Sequence, residues 1–488
     1  MAEAMTSPGW KRKPPAAEGE ESSGASNAEA PVQVQKGGFR GLIMRAAGWS
    51  MVGYVVVQVL RIASSLILTR LLIPEMFGIM AIATMVQVSV AMLSDLGLRP
   101  AAIQSRMGDD RSYLDTAWML QIIHGCFIWL VCVLIAVCIG QGAVQGWFPP
   151  GSVYTVRELP AVIIGTCFST VIMGLQSTKL ISAYRHLDLG RITVIEIVAQ
   201  VISLTVAVLL AWYTGSIWSF VLSTLVSSAA TTVLSHLWLP GENNRLRWDR
   251  AAVADLIRFG RWIMLSSILT VIAANGDRIL LAGWTSPAML GLYILAFNLI
   301  AMLEGAGGRL FSSVAMPALS KVARERPEQL SSVYQKVRLP FDLVFIGSAG
   351  AVYASGKVII DLLYDDRYLN AASIIEILSF SLLVTRFGVM SAVYLAIDEP
   401  RNQSVLNFIR AVSVFVCVPL AYYAFGFSGA LWAIALHALP TLPVIFHFNS
   451  RHRLNNPLYE TTVLLAWPVG YAAGWITTMV FEHFGKVL

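Results

Sequence analysis

Hydrophobic residues in this chain do not alternate singly with polar ones. They run in nearly unbroken blocks of about 20 residues, the length that an α-helix needs to cross a bilayer. Six blocks lie near 44–70, 76–98, 114–138, 158–180, 192–213 and 216–238. Six more lie near 256–283, 288–308, 339–363, 371–396, 404–424 and 427–447, and a thirteenth near 460–482. At 1.5 Å of rise per residue each block spans the hydrocarbon layer of about 30 Å. The predicted fold class is therefore an all-α polytopic membrane protein. Residues 1–40 lack an apolar run and are rich in Glu, Ser, Gly, Ala, Pro and Lys. They read as a disordered cytoplasmic tail, not as a secretory signal.

The blocks repeat. A shift of 213 residues superposes Arg45 on Arg258, Trp49 on Trp262, Met51 on Met264, Pro74 on Pro287, Met76 on Met289, Gly78 on Gly291 and Ala83 on Ala296. The matching stretches "LLIPEMFGIMAIA" and "GWTSPAMLGLYILA" both fall at the turn between the first and second helices of a six-helix group. Six is even, so both groups keep one orientation. This predicts two parallel-repeat six-helix lobes, 41–240 and 256–450, around a central cavity. A cytoplasmic linker, 241–255, joins them, and 451–488 forms about one extra C-terminal helix.

Composition supports the membrane reading. The chain of 488 residues is 56% hydrophobic and 13% charged, against about 25% charged for a soluble domain. With the N-terminus in the cytoplasm, 25 Lys and Arg fall in inward segments and five in outward ones, a strong positive-inside bias. Arg338 and Lys179 belong to the inward set in this count, and Arg367 to the outward set. The net charge of +6 thus reflects orientation, and nothing resembles a nucleic-acid-binding stripe. Cys126, Cys132, Cys138, Cys167 and Cys417 all lie in apolar blocks at spacings that suit neither a metal site nor a disulfide framework. There is no HExxH, GxSxG or Walker loop. An enzyme and a resident metal or cofactor are not expected.

Chemistry must then come from charges inside the blocks. Arg61, Arg278, Arg309, Arg386 and Arg410 remain after the loop count, with Asp95, Glu196, Asp277, Glu304, Asp342 and Glu376 as acids in or near the blocks. Each such charge costs roughly 2.5–3.5 kcal/mol at the bilayer centre, so it needs a partner, a wet cavity or an interface. The repeat sends Arg278 to Ser65, about one turn from Arg61. Two guanidiniums at similar depth on equivalent helices suit a central clamp for phosphate or carboxylate. Asp277 would orient Arg278 or temper the positive charge. The competing reading has Arg278 snorkelling to the interface or being neutralised by its neighbours. In "AMLEGAGGRLF", Glu304 and Arg309 fit a hinge, a second site or an inner-interface pair. Pro440 and Pro443 predict a kink in the twelfth helix.

Several motifs resemble a known family. They are "SDLGLRPAAIQ" closing the second helix, "NGDRILLAGWTSPAMLGLYILAFNLI", "MPALSKV" and "YDDRYLNAASIIEILSF". The pattern is similar to the polysaccharide transporter branch of the multidrug/oligosaccharidyl-lipid/polysaccharide exporter superfamily, the Wzx-type flippases. The resemblance implies two six-helix lobes around a cationic cavity with alternating access. It implies an undecaprenyl-diphosphate-linked oligosaccharide as cargo, moved from the cytoplasmic to the periplasmic leaflet of the bacterial inner membrane for exopolysaccharide or O-antigen synthesis. Membrane lipid and the pathway's polymerase and glycosyltransferases are the implied partners. Competing functions are a multidrug exporter or a lipid-linked peptidoglycan-precursor exporter of the same superfamily. From a different class comes a membrane glycan polymerase, which would need catalytic groups on an outward loop.

Overall fold

The computed structural model describes residues 36–93, 102–103, 105, 107–254, 256, 271, 275–391 and 393–485. The chain divides into Met1–Arg45 and Ala46–Leu488, and the candidate spans lie in the second unit. All regular structure among the described residues is helical. Nine helices among them are long and apolar enough to cross a membrane, or up to eleven if each of two bent pairs is one span.

Helix α1 (Lys36–Leu71) begins ahead of the expected start near 44. After it come α2 (Pro74–Leu93) and α3 (Arg111–Val144). The single helix expected near 158–180 is instead broken into α4 (Leu159–Cys167), α5 (Ser169–Gly174) and α6 (Lys179–Arg185), with a 70° bend before α6. The cause is local. The Ser169 hydroxyl donates to the Thr166 carbonyl (2.6 Å) and that of Thr170 to Cys167 (2.8 Å), so side chains compete for helix carbonyls. Helices α7 (Leu189–Thr214) and α8 (Trp218–Leu237) follow, with Gly215 ending α7 in the left-handed region.

Of the helix expected over 256–283, the stretch 275–284 (α9) is described, along with the isolated positions 256 and 271. Ser286 and Pro287 then start α10 (Pro287–Leu310), the serine side chain accepting from the Met289 N–H (3.3 Å). A π-helical turn over Phe311–Ala315 leads into α11 (Met316–Glu325), where Pro317 lacks the N–H needed for a regular ladder. The remaining helices are α12 (Leu330–Leu363), α13 (Ala371–Ser379), α14 (Ser381–Met390), α15 (Val393–Ala396), α16 (Pro400–Leu436), α17 (Leu442–Arg451), α18 (Pro457–Val463) and α19 (Ala466–Gly485).

The helix expected over 371–396 also breaks, at Phe380, just after the Ser379 hydroxyl takes the Glu376 carbonyl (2.6 Å). The apolar stretch Arg401–Arg451 would be about 75 Å long if straight. Its helical path breaks at Gly426, with φ 67° and ψ −154°, and again at the 3₁₀ turn Leu439–Thr441, where Pro440 was expected to kink it. The extra C-terminal segment is the candidate span Pro457–His483.

The core joins both halves of the sequence. Ile79, Ile82 and Ala83 of α2 share one buried cluster with Leu290, Tyr293 and Ile294 of α10. The contact is reciprocal. A Cβ on Gly78 would lie 2.1 Å from the Pro287 carbonyl oxygen, and one on Gly291 would lie 1.9 Å from that of Pro74. Backbone therefore touches backbone, which only glycine allows. The C-terminal helix α19 packs as closely on α12, with Gly470 against the Gly347 carbonyl and Gly474 against that of Ala351.

Candidate functional site: an arginine-walled central cavity

On α1, Tyr54, Gln58 and Arg61 recur at four- and three-residue steps, so they share one helix face. That face borders two cavities. One, of about 470 Å³, lies against α7 and α8 and is lined by Gln58, Arg61, Glu196, Gln200, Thr231 and Arg309, among others. The other, of about 620 Å³, lies against α10 and the end of α12, and is lined by Arg61, Asn298, Met302, Arg309, Leu363 and Tyr364, among others. Tyr54, Gln58, Arg61 and Arg309 line both. The Arg309 guanidinium sits 3.8 Å above the Tyr54 ring, which aims it at this common wall.

The candidate residues separate into two groups. Arg61 and Arg309 meet at the shared wall. Arg278 lines a third cavity, of about 270 Å³, with Thr84, Phe220 and Asn275. It donates to the Asn275 amide oxygen (3.2 Å) and stacks 4.7 Å over Phe297. Asn298 faces both this cavity and the 620 Å³ one, and so connects Arg278 with the Arg61 wall. Asp277 is buried and accepts a hydrogen bond from the Tyr293 hydroxyl. Glu304 accepts from the hydroxyls of Ser381 (3.1 Å) and Thr385 (2.8 Å). Both carboxylates thus have partners inside the half that begins at α9. Asp95 and Arg99, in "SDLGLRPAAIQ", lie outside the described residues.

Two charge arrangements escaped the sequence reading. The first is a buried tetrad. The guanidinium of Arg338 contacts Asp342 (2.7 Å) and donates to Glu460 (2.9 Å), while Arg386 contacts Asp342 (3.1 Å) and Glu460 (3.2 Å). The Tyr459 hydroxyl adds a hydrogen bond to Asp342 (2.9 Å). Two cations and two anions tie α12, α14 and α18 together. Arg338 is therefore no loop charge: it is only 3% exposed because the tetrad neutralises it. The i,i+4 spacing of Arg338 and Asp342 was the one signal available. Lys179, also counted with the loops, is likewise buried, its ammonium donating to the His236 carbonyl and the Asn243 amide oxygen (both 3.0 Å).

The second arrangement lies at the face that carries the turns before α2 and α10. Arg367, in the turn between α12 and α13, donates to the carbonyls of Thr69 (3.0 Å) and Arg70 (3.1 Å), and the Tyr368 hydroxyl donates to that of Leu72 (2.8 Å). These are orphan carbonyls at the C-terminus of α1, where a cation is favoured. Arg367's hydrogen bonds hold the Asp365 carboxyl below its usual range. On the same face the Tyr154 hydroxyl, pushed up to about 12 by burial, donates to the Ile279 carbonyl (3.1 Å).

Fold and site together define a multi-pass transporter-like membrane protein with a basic internal cavity. A sequence profile described as "Polysaccharide biosynthesis protein" matches residues 67–373. The chain belongs to this Wzx-like polysaccharide biosynthesis protein family. The lipopolysaccharide biosynthesis protein WzxC of Escherichia coli (strain K12) is 22% identical over 339 residues, covering 68% of this chain; the chain spans 65% of that relative's length. The fold is similar to that of the lipid II flippase MurJ in an inward closed conformation, with a TM-score of 0.63 and 12% identity over 89% of this chain and 99% of MurJ. It is also similar to an inward-facing multidrug resistance MATE family transporter of the MOP superfamily, with a TM-score of 0.59 and 14% identity over 88% and 96% of the two chains.

Proposed function

We propose that this chain is a flippase for undecaprenyl-diphosphate-linked oligosaccharides, moving them from the cytoplasmic to the periplasmic leaflet of a bacterial inner membrane by alternating access. The observation that carries the reading is the wall shared by Arg61 and Arg309. Guanidinium stays protonated and matches phosphate oxygens in its fork geometry. Such a wall inside a membrane protein favours an anion over a cationic drug. Arg278 and Asn298, next to it, would complete the diphosphate path, and Asp277 and Glu304 would limit the positive charge from within the second lobe.

The proposed architecture is two six-helix lobes related by a twofold axis along the membrane normal. Reciprocal contacts between Gly78 and Pro287, and between Gly291 and Pro74, support it, since the two glycines are 213 residues apart and so are the two prolines. Twofold symmetry makes residue i meet j where j meets i. In this reading the Arg367 clasp and the α2–α10 contact close the periplasmic face, while the cavities await cargo from the cytoplasm.

Deletion of the chain tests the function. Lipid-linked repeat units should accumulate in the inner leaflet, beyond reach of a periplasmic probe, and wild-type chain but not Arg61→Ala should restore export. Accumulation of single units already exposed to the periplasm would overturn the proposal in favour of a polymerase.

A further inference from the structure

We propose that the 470 Å³ cavity between α1, α7 and α8 is a glycan subsite, and that the 620 Å³ cavity receives the first part of the polyprenyl chain. This deepens the flippase function proposed above and rests on it. The argument lies in how polarity is divided between two chambers that share one cationic wall.

Three helices bring polar side chains into the smaller chamber at helical spacing. On α7, Thr193, Glu196 and Gln200 recur at three- and four-residue steps; on α8, Ser227 and Thr231 are four apart; α1 adds Gln58. Polar groups on membrane helices face protein or water, because facing lipid is costly. Neither Gln58 nor Gln200 hydrogen-bonds to protein among the described residues. Each amide keeps one carbonyl acceptor and two N–H donors for what enters the cavity. Thr231 spends its proton on the Ser227 carbonyl (2.9 Å), leaving its oxygen as an acceptor. Side-by-side donors and acceptors are what sugar hydroxyls, each both donor and acceptor, can satisfy. The volume falls in the range of ~300–1,000 Å³ of small-molecule sites.

The larger chamber differs. Its wall carries Ser65, Asn298, Ser312 and Tyr364, but also a larger apolar share made by Ile62, Leu66, Leu299, Ala301, Met302 and Leu363. These apolar side chains offer no hydrogen bonds and suit a hydrocarbon. Going from one chamber through the shared wall to the other, the lining changes from mainly amide and hydroxyl to guanidinium to a mixed wall with a larger aliphatic share. A glycan–diphosphate–polyprenol presents its matching groups in that order. Selectivity for the sugar would then sit on α7 and α8, and affinity for the carrier on Arg61 and Arg309.

Two probes test this with purified chain in lipid nanodiscs: undecaprenyl diphosphate, and the lipid-linked intermediate extracted from cells lacking the chain. The wild type should bind the glycan-bearing probe more tightly than the bare carrier. Gln200→Leu and Thr231→Val should each weaken the glycan-bearing probe about tenfold, as loss of a matched polar partner does, and leave the bare carrier within about twofold. Arg309→Gln should weaken both. Equal wild-type affinity for the two probes, or equal losses on both in Gln200→Leu and Thr231→Val, would overturn the subsite while leaving the carrier function standing. Failure of the wild type to bind either probe would remove the flippase function and the subsite with it.

Discussion

At the residue scale, the charges in the membrane divide by what they touch. Asp342, Arg338, Arg386 and Glu460 use their charges on one another, so they hold structure. Arg61 and Arg309 line cavities, and in the proposed function they meet the cargo. The two sets should respond differently to substitution. Asp342→Ala leaves two buried guanidiniums to share the single carboxylate of Glu460 and should destabilise the protein by about 3–5 kcal/mol, visible as a lowered melting temperature in detergent. Arg309→Ala should lower flipping roughly tenfold or more, since hydrogen bonds to charged groups are the stronger kind. Arg309→Lys should recover only part of that, because an ammonium cannot reproduce the guanidinium fork.

At the element scale, breaks and close contacts come from backbone chemistry. Gly426 has nothing within 4 Å of where a Cβ would stand, yet its φ of 67° with ψ of −154° is open to glycine almost alone. Gly426→Ala should therefore cost about 1–3 kcal/mol through strain, with no steric clash, measurable by thermal unfolding. Gly78 and Gly291 present the opposite case, with a carbonyl oxygen of the facing helix where a Cβ would stand. Gly78→Ala and Gly291→Ala should each cost about 1–3 kcal/mol by forcing α2 and α10 apart. Comparable losses at the two positions are expected from the symmetric contact, and a large loss at only one would count against the twofold arrangement.

At the scale of the whole molecule, the clasp at the end of α1 makes a testable gate. Arg367→Ala removes the donor to the Thr69 and Arg70 carbonyls. A cysteine introduced at Ser65, which lines the 620 Å³ cavity, should then react faster with an impermeant maleimide added from the periplasmic side. Unchanged labelling would exclude the clasp as a gate. The sign of the pH effect follows from Asp365, whose pKa is lowered from 3.8 chiefly by Arg367's hydrogen bond. The ionised pair is present at neutral pH and is lost only as pH falls through that lowered value. Labelling of the wild type between pH 5 and 8 should thus be flat as far as this pair controls it.

What the sequence by itself determined is the solvent and the periodicity. Apolar blocks of bilayer length define an all-α membrane protein, and the coincidence of Pro74 with Pro287 and Gly78 with Gly291 announces a repeat whose members then touch. Hydrophobic length reports where a helix can cross, because the bilayer's thickness is fixed. It does not report breaks made by single hydroxyls, which is why the helix breaks near Ser169 and Ser379 were not anticipated. Nor does it report which charges are neighbours. Arg61, Arg278 and Arg309 could all be named as candidates, but only the packing of α1 against α10 put Arg61 and Arg309 on one wall and Arg278 in the next cavity. The tetrad needed tertiary structure for the same reason: Glu460 lies 122 residues from Arg338, and Coulomb attraction depends on separation in space, which sequence separation does not encode.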